Sequence, residues 1–198
     1  MSETRFRRLC VFCGSNPGND PRYARVAYDV GCILAGRGIG VVFGAGRVGM
    51  MGAVAQGALD AGGSVIGVIP DGLMIRELAR DDLTELHVVR SMHERKQMMA
   101  DLSDGFIALP GGFGTFEEFC EIVTWGQLGI HRKPCGLLSV NGYYEPLLRM
   151  FDHAVAEGFL RARHRQLVIA ETDLARLLDA MARYEPEPGQ VWLQRENA

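Results

Sequence analysis

The sequence predicts an α/β protein: a single doubly wound, mainly parallel sheet with helices on both faces, Rossmann-like in layout. Three observations lead there. Short apolar runs alternate with helical patterns along the chain. The runs are unbroken rather than alternating, which suits strands buried on both faces. Three turns carrying glycine follow strands, at the edge where such sheets bind ligands.

The first strand is 9–13 (LCVFC), followed by a turn at 14–18. A helix starts at Pro21, since proline suits the first helical position, and runs through Val26, Val30, Ile33 and Leu34 to Gly36. Residues 39–43 form the second strand, 44–49 (GAGRVG) a turn, and 50–59 a helix with no charge before Asp60. A helix that apolar must be covered on most sides, by the sheet or by a second subunit. The third strand, 64–69, ends at Pro70, and 71–82 is irregular or a short helix. A fourth strand at 86–89 precedes a helix at 92–102. The fifth strand, 106–109, ends at Pro110, and a helix then opens at Thr115 and runs to about Gln127. Strands at 136–140 and 167–170 and helices at 144–157 and 173–183 complete the pattern, the last capped by Asp173. Residues 1–184 read as one domain. Residues 185–198, rich in Pro, Gly, Glu and Gln, read as a mobile tail that Trp192 could dock.

With 198 residues, 47% of them hydrophobic, the chain can bury a sizeable core. A net charge of −3 gives no electrostatic case for nucleic acid or an anionic membrane. No stretch is long and apolar enough to span a bilayer, and MSETRFRRL lacks the apolar centre of a signal peptide, so a cytoplasmic protein is expected. Cys10 and Cys13 form a C-x-x-C, but within an apolar strand, so they are expected to be buried free thiols facing opposite ways. The histidines show no metal-ligand spacing.

Three stretches carry chemistry. In 106–118 (FIALPGGFGTFEE), Gly111, Gly112 and Gly114 lead into the helix, with Glu117 and Glu118 in its first turn. Backbone N–H groups at a helix start have no partner inside the helix, and glycines let an anion approach them. This is a candidate phosphate cradle with carboxylates one turn above. Thr115 to Glu118 also reads as a capping box, which needs no ligand; it does not account for three glycines. The second stretch, Gly44-x-Gly46-x-x-Gly49, has dinucleotide-fingerprint spacing, with Asp71 as a ribose partner, but it follows the second strand rather than the first. It reads either as close helix–strand packing or as a phosphate or ribose contact through Gly46. The third, 92–96 (MHERK), puts Arg95 and Lys96 in a first helical turn, where the dipole disfavours cations. They either face a ligand or pair with an acid such as Glu94 or Asp101. Met92, Met98 and Met99 either line an apolar pocket or belong to the core. Together these residues point to a phosphorylated small molecule, a nucleotide, without choosing between binding and chemistry.

These motifs carry a resemblance. CVFCGS at 10–15, GAGRVGMMG at 44–52, MHERKQMM at 92–99, PGGFGTFEE at 110–118, TWGQLGIHRKP at 124–134, YYEPLL at 143–148 and AVAEGF at 154–159 together resemble the Lonely Guy family. Its members are cytokinin riboside 5′-monophosphate phosphoribohydrolases, often mislabelled as lysine decarboxylases. The resemblance spans about residues 6 to 184. Ala45 departs from it, standing where the family has a third consecutive glycine.

The resemblance implies hydrolysis of the N-glycosidic bond of a purine nucleoside 5′-monophosphate to free base and ribose 5-phosphate, without a cofactor. It assigns the catalytic arginine to Arg95 and the catalytic glutamate to Glu118. The phosphate would sit on Gly111, Gly112, Gly114 and Thr115, with Ser15 nearby. Glu77 resembles a base-contacting position, and Thr124 is a further candidate contact. Gly46, Met92, Lys96 and Glu117 complete the expected substrate-binding set. A homodimer is also implied. Whether the substrate is a cytokinin nucleotide or AMP stays open. The rivals are a non-catalytic nucleotide or molybdenum-cofactor carrier and a dinucleotide-dependent oxidoreductase. A pyridoxal phosphate decarboxylase would need a Schiff-base lysine, and the chain has only Lys96 and Lys133.

Overall fold

The computed structural model describes residues 5–74, 80 and 82–186. In chain order these form β1 (Arg8–Phe12), α1 (Pro21–Gly36), β2 (Gly40–Phe43), α2 (Gly49–Asp60), β3 (Val65–Pro70), α3 (Asp71–Met74), β4 (Glu85–Val89) and α4 (Met92–Leu102). There follow β5 (Gly105–Ala108), α5 (Phe113–Leu128), β6 (Cys135–Leu138), α6 (Glu145–Ala156), α7 (Ala162–Arg165), β7 (Val168–Glu171) and α8 (Leu174–Ala182).

The sheet has the order β4-β3-β2-β1-β5-β6-β7, and every pairing is parallel. β1 sits between β2 and β5. The chain winds outward one way from β1 to β4, then restarts at β5 and winds the other way. The gap beyond the C-terminal ends of β1 and β5 is therefore the switch point where such sheets bind ligands.

The two faces of the sheet bury separate cores. One combines Val11, Val41 and Ile107 with Val30 and Leu34 of α1, Val54 of α2 and Leu177 of α8. The other combines Phe12, Val42 and Phe106 with Met99 of α4 and Phe119 of α5. Cys13 belongs to the first and Cys10 to the second, as free thiols on opposite faces.

α1 and α2 cross at contact distance. A Cβ at Gly31 would lie 2.1 Å from the Val54 carbonyl oxygen, and one at Gly57 would lie 2.0 Å from that of Tyr28. The uncharged surface of α2 is thus covered by α1 and the sheet of its own chain, so it provides no argument for a second subunit.

Several boundaries differ from expectation. α5 begins at Phe113, with Gly112 as its N-cap and no side-chain cap. Thr115 is the third helical residue, so the expected capping box is absent. A box-like cap forms instead at α4: Ser91 Oγ accepts from the Glu94 N–H at 3.1 Å, and the Glu94 carboxylate accepts from the Arg90 N–H at 2.7 Å. β6 stops at Leu138 because Val140–Gly142 turns as a short 3₁₀ segment. The single turn α7 was not anticipated. Trp192, with the rest of 187–198, lies outside the described residues. Among those described, no helix is long and apolar enough to cross a membrane.

Candidate active site

A cavity of about 370 Å³ opens at the switch point. The turn after β1 supplies Ser15, Asn16, Pro17 and Gly18, and the turn after β5 supplies Pro110, Gly111 and Gly112. The first turn of α5 adds Phe113, Gly114 and Thr115, and Glu118 stands one turn higher. Arg95, Met50, Met51, Cys13, Tyr23 and Tyr143 complete most of the wall. The N–H groups at the start of α5 lack helical partners and lie at the dipole's positive end, which suits an anion.

Arg95 and Glu118 meet in this cavity. Both are buried, with Arg95 Nη1 3.3 Å from Glu118 Oε1. Arg95 Nε donates to the Val68 carbonyl within β3 at 3.1 Å, and Nη2 to the Gly44 carbonyl at 3.4 Å. Burial raises the Glu118 pKa, and Arg95 only partly counters it, leaving a carboxyl that titrates at about 7. Close pairing and a raised pKa coexist because removing the carboxylate from water outweighs one partner at this distance. Near neutrality Glu118 can therefore hold or release a proton, whereas Arg95 keeps its charge.

The GAGRVG turn builds the site without lining it. A Cβ at Gly44 would lie 1.8 Å from Arg95 Nη2, so Gly44 leaves the space the guanidinium occupies. Gly49, at φ 65°, brings the start of α2 so close to Ser15 that a Cβ would lie 2.1 Å from the Ser15 carbonyl oxygen. Gly46 packs closely against Met51 and is not part of the cavity wall. Ala45 is buried at φ 63°, and its methyl packs over Gly67. Asp71 accepts from the Gly72 N–H at 2.6 Å and does not line the cavity.

Of the sequence-derived site residues, Arg95, Glu118, Ser15, Gly111, Gly112, Gly114 and Thr115 come together around the cavity. Gly46, Met92, Lys96, Glu117 and Thr124 do not line it. Lys96 pairs with Glu117 and, at 2.9 Å, with Glu121. These partners lie on α5, not at Glu94 or Asp101 as expected. Burial works against the Lys96 charge, but the two carboxylates hold its pKa above the ordinary lysine value. Thr124 Oγ1 donates back to the Cys120 carbonyl at 2.7 Å. Met92 is exposed, and Met99 belongs to the core. Glu77 lies outside the described residues. Sequence reasoning missed the Tyr23, Met51, Phe113 and Tyr143 walls. An adjacent tyrosine pair just after a strand, at the ligand edge, was the available signal for Tyr143. Neither lysine lines the cavity; Lys133 donates to the Ala100 carbonyl at 2.7 Å.

Residues 51–181 match the family described as possible lysine decarboxylase. The chain is 52% identical to the rice (Oryza sativa subsp. japonica) probable cytokinin riboside 5′-monophosphate phosphoribohydrolase LOGL1, over 97% of this chain and 88% of that protein. It is 47% identical to the Arabidopsis thaliana cytokinin riboside 5′-monophosphate phosphoribohydrolase LOG7, over 96% and 89%. Among solved structures, the molybdenum cofactor carrier protein of Chlamydomonas reinhardtii superposes with a TM-score of 0.66 at 22% identity, over 89% of this chain and 96% of that one. The corresponding binding protein of Rippkaea orientalis gives 0.67 at 23% identity, over 89% and 95%. At that identity the two share the fold alone. The family match and these identities over nearly the whole chain show that it belongs to the Lonely Guy family of cytokinin riboside 5′-monophosphate phosphoribohydrolases.

Proposed function

We propose that this chain hydrolyses the N-glycosidic bond of purine nucleoside 5′-monophosphates, cytokinin nucleotides and AMP alike, releasing free base and ribose 5-phosphate. One observation carries the reading: a buried Arg95–Glu118 pair shares a single cavity with a backbone anion cradle. A cradle alone would hold a phosphate. A carboxyl titrating at about 7 beside it adds nothing to anion binding, but it can exchange a proton during a reaction. The names of the relatives, at 47–52% identity, support the same reaction.

In this mechanism the phosphate rests on Gly111, Gly112, Gly114 and Thr115, with Ser15 across from it. That remote binding orients C1′. Glu118 in its ionised form takes a proton from water as the water oxygen bonds to C1′. The C1′–N bond breaks and its electron pair leaves with the base, which takes a proton from solvent; Glu118 then returns the proton it took to solvent. The charge that develops on the ribose is oxocarbenium-like, and a carboxylate beside it is stabilising. Arg95 does not donate a proton; its fixed charge favours the departing, electron-rich base. Lys96 and Glu117 act from behind, bracing α4 against α5. The same reading carries a cytoplasmic homodimer with it. Leu86 and Val88, exposed on edge strand β4, and exposed Met92 at the start of α4 offer an apolar surface for a second copy.

The test is base release from AMP and from isopentenyladenosine monophosphate, followed by chromatography. Glu118→Gln should abolish release while nucleotide affinity stays within about tenfold, because the cradle is intact. Release that survives in Glu118→Gln would refute the catalytic role. Tight binding without release in the unmutated protein would move the assignment to a carrier.

A further inference from the structure

We propose that Tyr143 and Tyr144 are positioning residues for the substrate's phosphate: their hydroxyls fix the loop that presents the cradle. The proposal deepens the nucleotide-hydrolase reading and rests on it for the identity of the anion.

Three consecutive carbonyls, ending with that of Gly111, lead into the cradle, and each is held by a donor from elsewhere. The Leu109 oxygen accepts from the Tyr144 hydroxyl at 2.6 Å. The Pro110 oxygen accepts from the Gly14 N–H at 3.1 Å. The Gly111 oxygen accepts from the Tyr143 hydroxyl. Carbonyl oxygens turned toward an anion would repel it, and here all three are engaged by donors. The N–H groups that follow, at the start of α5, are the ones without helical partners. The loop is thus locked in the orientation in which acceptors are engaged and donors remain.

The tyrosines are themselves tightly placed. Asn141 and Gly142 take left-handed φ values of 52° and 71°, which turn the chain sharply after β6. Tyr144 N–H donates to Ser139 Oγ at 3.1 Å. The Tyr143 and Tyr144 rings meet edge-to-face at 5.2 Å, and Tyr143 also contacts Tyr23 and stacks on Phe116 of α5. Tyr144 is 1% exposed, so water cannot replace its hydroxyl bond. Tyr143 lines the cavity and Tyr144 stands behind it. Neither residue belongs to the glycine motif, and they follow it in sequence beyond α5 and β6.

The experiment measures ribose 5-phosphate and inorganic phosphate binding by calorimetry in Tyr143→Phe and Tyr144→Phe, with steady-state kinetics on AMP. Each lost hydroxyl should weaken ribose 5-phosphate about three- to tenfold, the range of one hydrogen bond. KM for AMP should rise by a similar factor, with kcat within about twofold. Tyr28→Phe, which removes a hydroxyl bonded at 2.9 Å to Asp60 at the C-terminal end of α2, away from the cavity wall, is the control and should change neither. Unchanged ribose 5-phosphate affinity in both variants would overturn the proposal, as would a fall in kcat at constant KM. The binding arm separates the two readings. If the unmutated protein binds ribose 5-phosphate but releases no base, and the variants bind it more weakly, the clamp stands and the hydrolase falls. If it binds no phosphorylated ligand at all, both fall.

Discussion

Gly44→Ala is the sharpest single perturbation of this site, although residue 44 never touches the cavity. The new Cβ would start 1.8 Å from Arg95 Nη2, and ordinary contact begins near 3.4 Å, so the guanidinium must retreat by about 1.6 Å (3.4 − 1.8). The obstacle is the end of a flexible side chain rather than backbone, so the fold can accommodate the methyl. The retreat disturbs bonds to Gly44 and Val68 and the 3.3 Å approach to Glu118. A misplacement of about 1 Å at a reacting centre can cost on the order of a hundredfold. We expect kcat for base release to fall by at least about that factor, with ribose 5-phosphate affinity held within about threefold. Arg95 lowers the Glu118 pKa, so its withdrawal should also push that pKa above 7. Steady-state kinetics on AMP across pH 5–9, beside a calorimetric Kd, would measure all three. A variant with near-normal kcat would refute the reasoning: the guanidinium would then act from a position this site does not define.

The buried Glu118 should also appear in stability. Its folded pKa, about 7, lies above its ordinary value of 4.5, so its contribution is fully present below pH 4.5 and is lost as pH rises through 7. Glu118→Gln should therefore raise Tm more at pH 8 than at pH 5, and an equal change at both would contradict the assignment. Lys96→Met removes a charge that lowers the Glu118 pKa, so the pH-dependence of kcat/KM should shift to higher pH while KM at pH 9 stays constant. A KM raised at every pH would make Lys96 a ligand contact instead. Gly57→Ala drives a methyl to within 2.0 Å of the Tyr28 carbonyl, backbone that cannot swing aside, and should cost at least about 2 kcal/mol in denaturant unfolding. A near-neutral change would mean that α1 and α2 separate easily.

The parts of this molecule legible in its sequence are those set by local pattern. Apolar runs and glycine turns located seven strands and the switch point, because burial on both faces and a tight turn each leave a compositional mark. Arg95 broke the dipole rule at its helix start, and that violation led correctly to the cavity. Where sequence reasoning failed, the cause was tertiary. Thr115 looked like a cap because Gly112 and Gly114 looked like turn, yet the first turn of α5 accepts glycine and begins at Phe113. Gly44, Gly46 and Gly49 carried a ligand-binding spacing, but their missing side chains make room for Arg95, Met51 and the Ser15 backbone. No local pattern distinguishes a glycine that admits a ligand from one that admits a neighbour. The partner of Lys96 was sought at Glu94 or Asp101 because its actual partners, Glu117 and Glu121, lie on another helix. The tyrosine pair was visible only as part of the YYEPLL match, and its role was not, because its hydroxyls act on carbonyls more than 30 residues away.

Arg95 is anchored to backbone oxygens of two separate segments before any ligand arrives. An exposed arginine loses several rotatable bonds' worth of entropy on gripping a ligand; here that ordering was completed during folding. Binding should accordingly show a small entropic penalty and little heat from side-chain reorganisation. Free and nucleotide-bound forms should superimpose at this residue. The same anchoring has a converse. Following a substrate whose ribose sits an ångström elsewhere would cost the guanidinium these backbone bonds, so tolerance for altered bases comes from the ligand rather than from the arginine.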